Sequence, residues 1–238
     1  MNSGAAPPSR LRLLPFGIPR LYVRYLRGDD LLSTWLGVNS SAIATLLSEF
    51  RAASPFADGF HPLRNPEQYK AAVLYAVCRI RKPRLVIETG VASGTSSVGI
   101  LSALHANGRG NLISVDLPGA QYVTESGQTW RDDSRPEGPG WRVSPSLRSR
   151  WTLRLGSSRS LLPGLIADSE VIDLFYHDSE HTKSNMDFEL DWAWSHLDKN
   201  GCTAVDNANW TDSFSVYCSS HSLTWVQLFP FLGLARGR

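Results

Sequence analysis

Apolar residues recur along this chain in two rhythms. Short unbroken runs, Leu85-Val86-Ile87, Leu112-Ile113-Ser114-Val115, Trp151 to Leu155, Val171 to Tyr176 and Cys202 to Val205, are rich in β-branched and aromatic residues. They are too short for helices and read as strands buried on both faces of a parallel sheet. Between them, apolar positions return every three or four residues. Pro66 opens a helix carrying Tyr69, Val73, Ala76 and Ile80 on one stripe, with Arg79, Arg81 and Lys82 suiting its C-terminal end. Ser96 to Leu104, Ser160 to Ala167 and Ser184 to Leu197 follow as helices, the last stopped by Asn200-Gly201. Strict alternation of strand and helix predicts an α/β fold, doubly wound and Rossmann-like, with a mostly parallel sheet covered on both faces. Leu223 to Leu228 and Phe231 to Ala235, around Pro230, predict an antiparallel C-terminal edge hairpin.

The same pattern divides the chain. Residues 1 to about 20 are broken by Pro7, Pro8, Pro15, Gly17 and Pro19, whereas Leu21 to Leu26 and Ser41 to Phe50 carry helical spacing, with Asn39, Ser40 or Ser41 as N-caps for the second. Residues 1–65 are expected to form a partly helical N-terminal extension, a candidate lid or homodimer contact, and 66–238 the main domain. Within that domain, 119–149 is a polar insertion rich in glycine and proline, either a functional lid or a disordered segment, and Trp130 and Trp141 favour the lid.

Composition changes the picture little. With 238 residues and 42% hydrophobic content the chain can bury one large core. A net charge of +2 gives no bulk electrostatic case for a nucleic acid or membrane partner. The seven arginines between Arg131 and Arg159 make one segment locally basic, either a solvated loop or a surface for an anionic substrate. Cys78, Cys202 and Cys218 lack CxxC spacing, and the N-terminal residues hold no apolar run long enough for a signal peptide or membrane span; a reducing, cytoplasmic location is expected.

Candidate chemistry gathers where the strands end. Glu88, Asp116, Asp178 and Asp206 all fall at strand C-termini, the edge at which doubly wound sheets bind ligands. Gly90 and Gly94 after the first strand let the backbone approach a ligand, and unpaired N–H groups at a helix start point into such a site. Glu88 at that strand end would repel a pyrophosphate, which favours a cofactor bearing positive charge, such as S-adenosylmethionine. Asp116 is placed to accept ribose hydroxyls. Asp178, Asp206 and Asn207 offer three hard oxygens suited to Mg²⁺ or another divalent cation; the alternative is that Asp178 caps a helix and Asp206-Asn207 forms a turn. His181 can take a proton near neutrality or can pack on the following helix, and His177 is expected on the opposite face. Trp192 and Trp194 read as core, and Trp210 as a wall of the acceptor pocket, with Asn209 and Asp212 as weaker candidates on its loop.

Taken together, Ile87 to Gly94, Ser114 to Pro118, Arg150 to Leu153 with Gly156-Ser157-Ser158, and Phe175 to His181 with Asp206-Asn207 resemble class I S-adenosylmethionine-dependent methyltransferases. The nearest groups are the methyltransferase 24 type and the metal-dependent catechol O-methyltransferase-like enzymes, and the resemblance runs from about residue 66 to the C-terminus. It implies that Glu88 lies near the methionine amino group, that Gly90, Ser93 and Gly94 form the cofactor loop, that Asp116 binds ribose and that Ser158 contacts adenine. It also places Mg²⁺ on Asp178, Asp206 and Asn207, with Asp178 beside the reacting groups. Where the catechol-type enzymes carry a lysine base this chain has His181, a departure that speaks against a catechol acceptor. The expected activity is therefore Mg²⁺-assisted O-methylation of a small hydroxylated molecule, a sugar or natural-product intermediate. A metal-independent methyltransferase, a cephalosporin hydroxylase-like relative and a non-catalytic cofactor-binding protein are the alternatives.

Overall fold

The structure is a computed structural model that describes residues 28–53, 65–118, 121–123, 129–131, 138–167, 169–228 and 231–237. Helices α1 (Gly28–Leu36), α2 (Ser40–Ala53) and α3 (Pro66–Arg81) lead into strand β1 (Leu85–Thr89), followed by α4 (Thr95–Ala106) and β2 (Asn111–Asp116). A two-stranded ribbon, β3 (Gln121–Val123) with β4 (Thr129–Arg131), stands apart from the main sheet. The chain continues through β5 (Trp151–Leu155), α5 (Ser158–Leu161), β6 (Ile172–His177), α6 (Lys183–His196), β7 (Leu197–Val205), α7 (Ser213–Ser220), β8 (Thr224–Leu228) and β9 (Leu232–Arg236).

The seven-stranded sheet has the order β5-β2-β1-β6-β7-β9-β8. Five strands run parallel, and β9 inserts antiparallel between β7 and β8. Chain direction reverses about β1, so the crevice beyond the ends of β1 and β6 is the ligand position of a doubly wound sheet. Alternate residues of β1 explain the double cover. Val86 joins the core formed with α1 to α4, whereas Ile87 joins the core beneath α6. The predicted fold class is thus observed, including the antiparallel C-terminal pair.

Several elements differ from the sequence reading, among them the helix Ser213–Ser220 and the ribbon β3–β4, which were not expected. The helix expected over Ser160 to Ala167 is a single turn, Ser158–Leu161, continued as a 3₁₀ turn through Pro163, whose ring cannot extend an α-helix. α6 ends at His196 because Leu197 turns extended (φ −72°, ψ 129°) and pairs with Ile172, so Asn200-Gly201 falls inside β7 rather than closing the helix. α1 was not expected, and Leu21 to Leu26 lies outside the described residues. α1 and α2 contribute Leu32, Trp35, Ile43 and Phe50 to the main core, and the Trp35 indole N–H donates to the Thr224 carbonyl at 3.1 Å. From Gly138 the described part of the insertion is pinned to the loop after β1: the Gly140 and Arg142 N–H groups donate to the carbonyls of Ala92 and Ser93 at 2.8 and 3.0 Å.

Candidate active site

A cavity of about 400 Å³ opens at the C-terminal edge of β1, β2, β5, β6 and β7. At one end lies the loop after β1. Gly90 has φ +82°, and a Cβ there would stand 2.0 Å from the Asp178 carbonyl oxygen, so no side chain fits where this loop crosses the end of β6. Gly94 (φ +87°) closes the loop and begins α4, and its missing Cβ leaves room for Gly140. Gly90, Ser93, Asp116, Ser157 and Ser158 line the cavity. Asp116 Oδ2 accepts from the N–H groups of Val91 (3.0 Å) and Ala92 (2.8 Å), and Oδ1 accepts from Leu117 N–H (2.7 Å). Burial raises the Asp116 pKa against these donors, and one Oδ1 lone pair is left for a ligand hydroxyl.

Glu88 does not face this cavity. Its carboxylate is wholly buried and accepts from the hydroxyls of Ser96 (2.6 Å), Ser97 (2.7 Å) and Ser114 (2.6 Å), which bind the start of α4 to β1 and β2. Burial pushes its pKa up while the three hydroxyls pull it down. The side chain expected near the methionine amino group thus points beneath the loop, off the cavity lining, where it holds Ser96, itself a lining residue.

At the other end, Asp178, His181 and Asp206 place one donor atom each within 4.8 Å of the others. The outer oxygen of each carboxylate is occupied. Tyr176 Oη donates to Asp178 Oδ2 at 2.8 Å, and Lys70 Nζ donates to Asp206 Oδ1 at 2.7 Å. The inner oxygens, Asp178 Oδ1 and Asp206 Oδ2, stand 3.8 and 3.6 Å from His181 Nε2. Burial, reinforced by the charge of Asp206, holds the Asp178 pKa well above the carboxylate range, which marks a pair that takes up a proton or a cation. Burial also lowers His181 to about 4, so it is neutral at pH 7 but a weaker base than the free imidazole assumed from sequence. Asn207, held at φ +48°, turns its amide NH₂ toward Asp206 Oδ2 (2.9 Å); it offers an oxygen to a cation only once that amide is flipped.

Sequence reasoning missed two parts of this end. Lys70 is buried on α3 and also meets Glu67 at 2.7 Å. Glu189 of α6 accepts from Thr89 (2.5 Å), Ser179 (2.6 Å) and Asn185 (3.0 Å) and pairs with His177 Nδ1 at 2.7 Å. His177 is wholly buried on that side and does not line the cavity. Trp192 is core, Trp194 is partly exposed and stacks on His221, and Trp210 is 59% exposed with its ring 5.2 Å from His181. Asp212 pairs with Lys183 at 2.7 Å.

The lining includes five acids, Glu67, Asp116, Asp178, Glu180 and Asp206, and among the described residues no lysine or arginine. Two inward carboxylate oxygens and an imidazole nitrogen at this spacing fit a divalent cation.

A family model described as a methyltransferase domain matches residues 87–208, a little over half of the chain. No curated protein matches significantly. Among solved structures, the O-methyltransferase TomG from Streptomyces achromogenes, involved in tomaymycin synthesis and solved with S-adenosylmethionine, is 15% identical over 92% of this chain and 99% of its own, with a TM-score of 0.52. A methyltransferase from Geobacter sulfurreducens is 18% identical over 83% of this chain and 89% of its own, with a TM-score of 0.50. At these identities the two structures show a shared fold.

Proposed function

We propose that this chain, which belongs to the methyltransferase-domain family, transfers a methyl group from S-adenosylmethionine to a hydroxyl of a small molecule, a sugar or natural-product intermediate, beside a bound divalent cation. The observation that carries this reading is the charge of the cavity. Acids line it at five places and no lysine or arginine does among the described residues; Lys70 behind the wall offsets Glu67 and Asp206, and the acidic balance that remains opposes a pyrophosphate and attracts a donor bearing a sulfonium and an ammonium group. TomG, which has the same fold, was solved with this donor.

The residues divide the work by strand end. The loop after β1, Asp116 and the Ser157-Ser158 turn line the donor end. Asp178 and Asp206, with Asn207 once its amide turns, would hold the cation, which supplies acidity to a hydroxyl brought against it. Methyl transfer from a sulfonium to an oxygen cancels charge, so the protein's main task is alignment. Exposed Trp210 beside His181 offers the acceptor a flat apolar face at the mouth of the site.

One observation favours a second reading. Lys70 already supplies a positive charge to Asp206, as a metal-independent enzyme would need. Turnover that survives EDTA would select that reading.

The test is calorimetry on the purified chain. S-adenosylmethionine is expected to bind, and Asp116→Ala to weaken it about tenfold or more, the worth of one charge-assisted hydrogen bond. Asp206→Ala should keep that binding while abolishing methyl transfer. Failure of the wild type to bind the donor refutes the proposal.

A further inference from the structure

The cation end holds its two carboxylates in an unusual way. Each has its outer oxygen occupied, Asp178 Oδ2 by Tyr176 and Asp206 Oδ1 by Lys70, so each can offer a single inner oxygen. Those inner oxygens both face one nitrogen, His181 Nε2, at 3.8 and 3.6 Å. Direct hydrogen bonds would bring these atoms to about 2.7–3.2 Å. Two donors each about 2.1 Å from a shared tetrahedral ion stand about 3.4 Å apart, close to the observed spacings. The rings of His177 and Trp210 flank the imidazole, each with its centroid 5.2 Å away, and the Asn207 amide NH₂, 2.9 Å from Asp206 Oδ2 and 3.4 Å from Nε2, occupies the edge of the gap that an ion would take over.

We infer that His181 Nε2 is itself a ligand of the cation, completing an oxygen, oxygen, nitrogen set, and that the site therefore prefers a divalent ion that accepts imidazole, such as Mn²⁺ or Co²⁺, over Mg²⁺. The inference rests on the cation reading above and deepens it. Mg²⁺ is a hard ion that keeps oxygen ligands, while imidazole suits the later first-row metals. With both carboxylates limited to one oxygen and the Asn207 amide turning its NH₂ rather than its oxygen to the site, the histidine supplies the third protein donor without any side chain having to flip. A nitrogen committed to the ion is also unavailable as the base, so the role expected of His181 from the sequence passes from accepting a proton to fixing the ion.

The experiment uses the full chain stripped with EDTA and loaded with Mn²⁺. Pulsed electron paramagnetic resonance should show a directly bound ¹⁴N in the wild type and none in His181→Ala. By calorimetry Mn²⁺ should bind about tenfold or more tightly than Mg²⁺. His181→Ala should lose about tenfold or more in Mn²⁺ affinity while Mg²⁺ changes by less than about threefold. Mn²⁺ bound to the wild type without nitrogen coupling overturns this inference and leaves the cation reading standing. Failure of Mn²⁺, Co²⁺ and Mg²⁺ alike to bind overturns both. The spectrum of the wild type decides the ligand question even where the variant does not fold.

Discussion

Lys70 sits between Glu67 and Asp206, its ammonium 2.7 Å from each, and only 5% of its side chain is exposed. The neighbouring carboxylates, with Asp178 first among them, raise its pKa against the burial that would lower it, so it remains a fixed positive charge. Replacing it with methionine keeps the bulk and strips Asp206 of its buried partner. Removing one member of a buried pair costs about 3–5 kcal/mol, and equilibrium urea unfolding of Lys70→Met should show a loss of that order. A loss below 1 kcal/mol would mean that water already solvates Asp206. The sequence did carry a trace of this lysine. Ala71 to Cys78 is apolar almost without interruption, and a helix apolar all round is buried all round. A lysine at its start then requires an acid partner. Reading only the Tyr69, Val73, Ala76, Ile80 stripe concealed that requirement, and the identity of the partner lay 136 residues away.

At the scale of elements, Glu189 ties α6 to β1 through Thr89, to the end of β6 through His177 and to the loop between through Ser179. Burial would raise its pKa, but the His177 ring and the hydrogen bonds outweigh that and hold it at about 2. A carboxyl depressed in the folded state contributes stability above its unfolded pKa, near 4.3, and that contribution is lost as pH falls through the folded value. The size is about 3 kcal/mol at 1.36 kcal/mol per pKa unit. Urea unfolding between pH 4.5 and 2 should show the wild type losing about that much more than Glu189→Gln; parallel curves would refute the assignment. Strands and their terminal acids were legible because a buried strand ending at an acid is a local pattern. Glu189 was not, since an acid between Phe188 and Leu190 in a helix carries no local mark of burial. The direction of the Glu88 side chain was hidden for a related reason: sequence locates a side chain along a strand, but the three serines that claim it belong to α4 and β2.

Across the whole molecule, the donor end and the cation end meet at one seam, where Gly90 passes over the backbone of Asp178. The Asp178 N–H donates to the Thr89 carbonyl at 2.8 Å, and any Cβ on Gly90 would come within 2.0 Å of the Asp178 oxygen and 2.8 Å of the Ser179 nitrogen. Side-chain changes beyond this seam should therefore act on one end only, since distant sites without shared partners add independently. A change in the seam itself must move the β1 loop, the β6 end, or both. Gly90→Ala also imposes a side chain on a backbone at φ +82°, which alanine rarely adopts. Calorimetry with S-adenosylhomocysteine and Mn²⁺ should find that Asp206→Ala weakens the ion alone, whereas Gly90→Ala weakens both ligands by about 1–3 kcal/mol each, the usual range of coupling between contacting residues. If Gly90→Ala lost the donor and kept full affinity for the ion, the loop alone would have yielded, and the two ends of the cavity would be separate sites that merely adjoin.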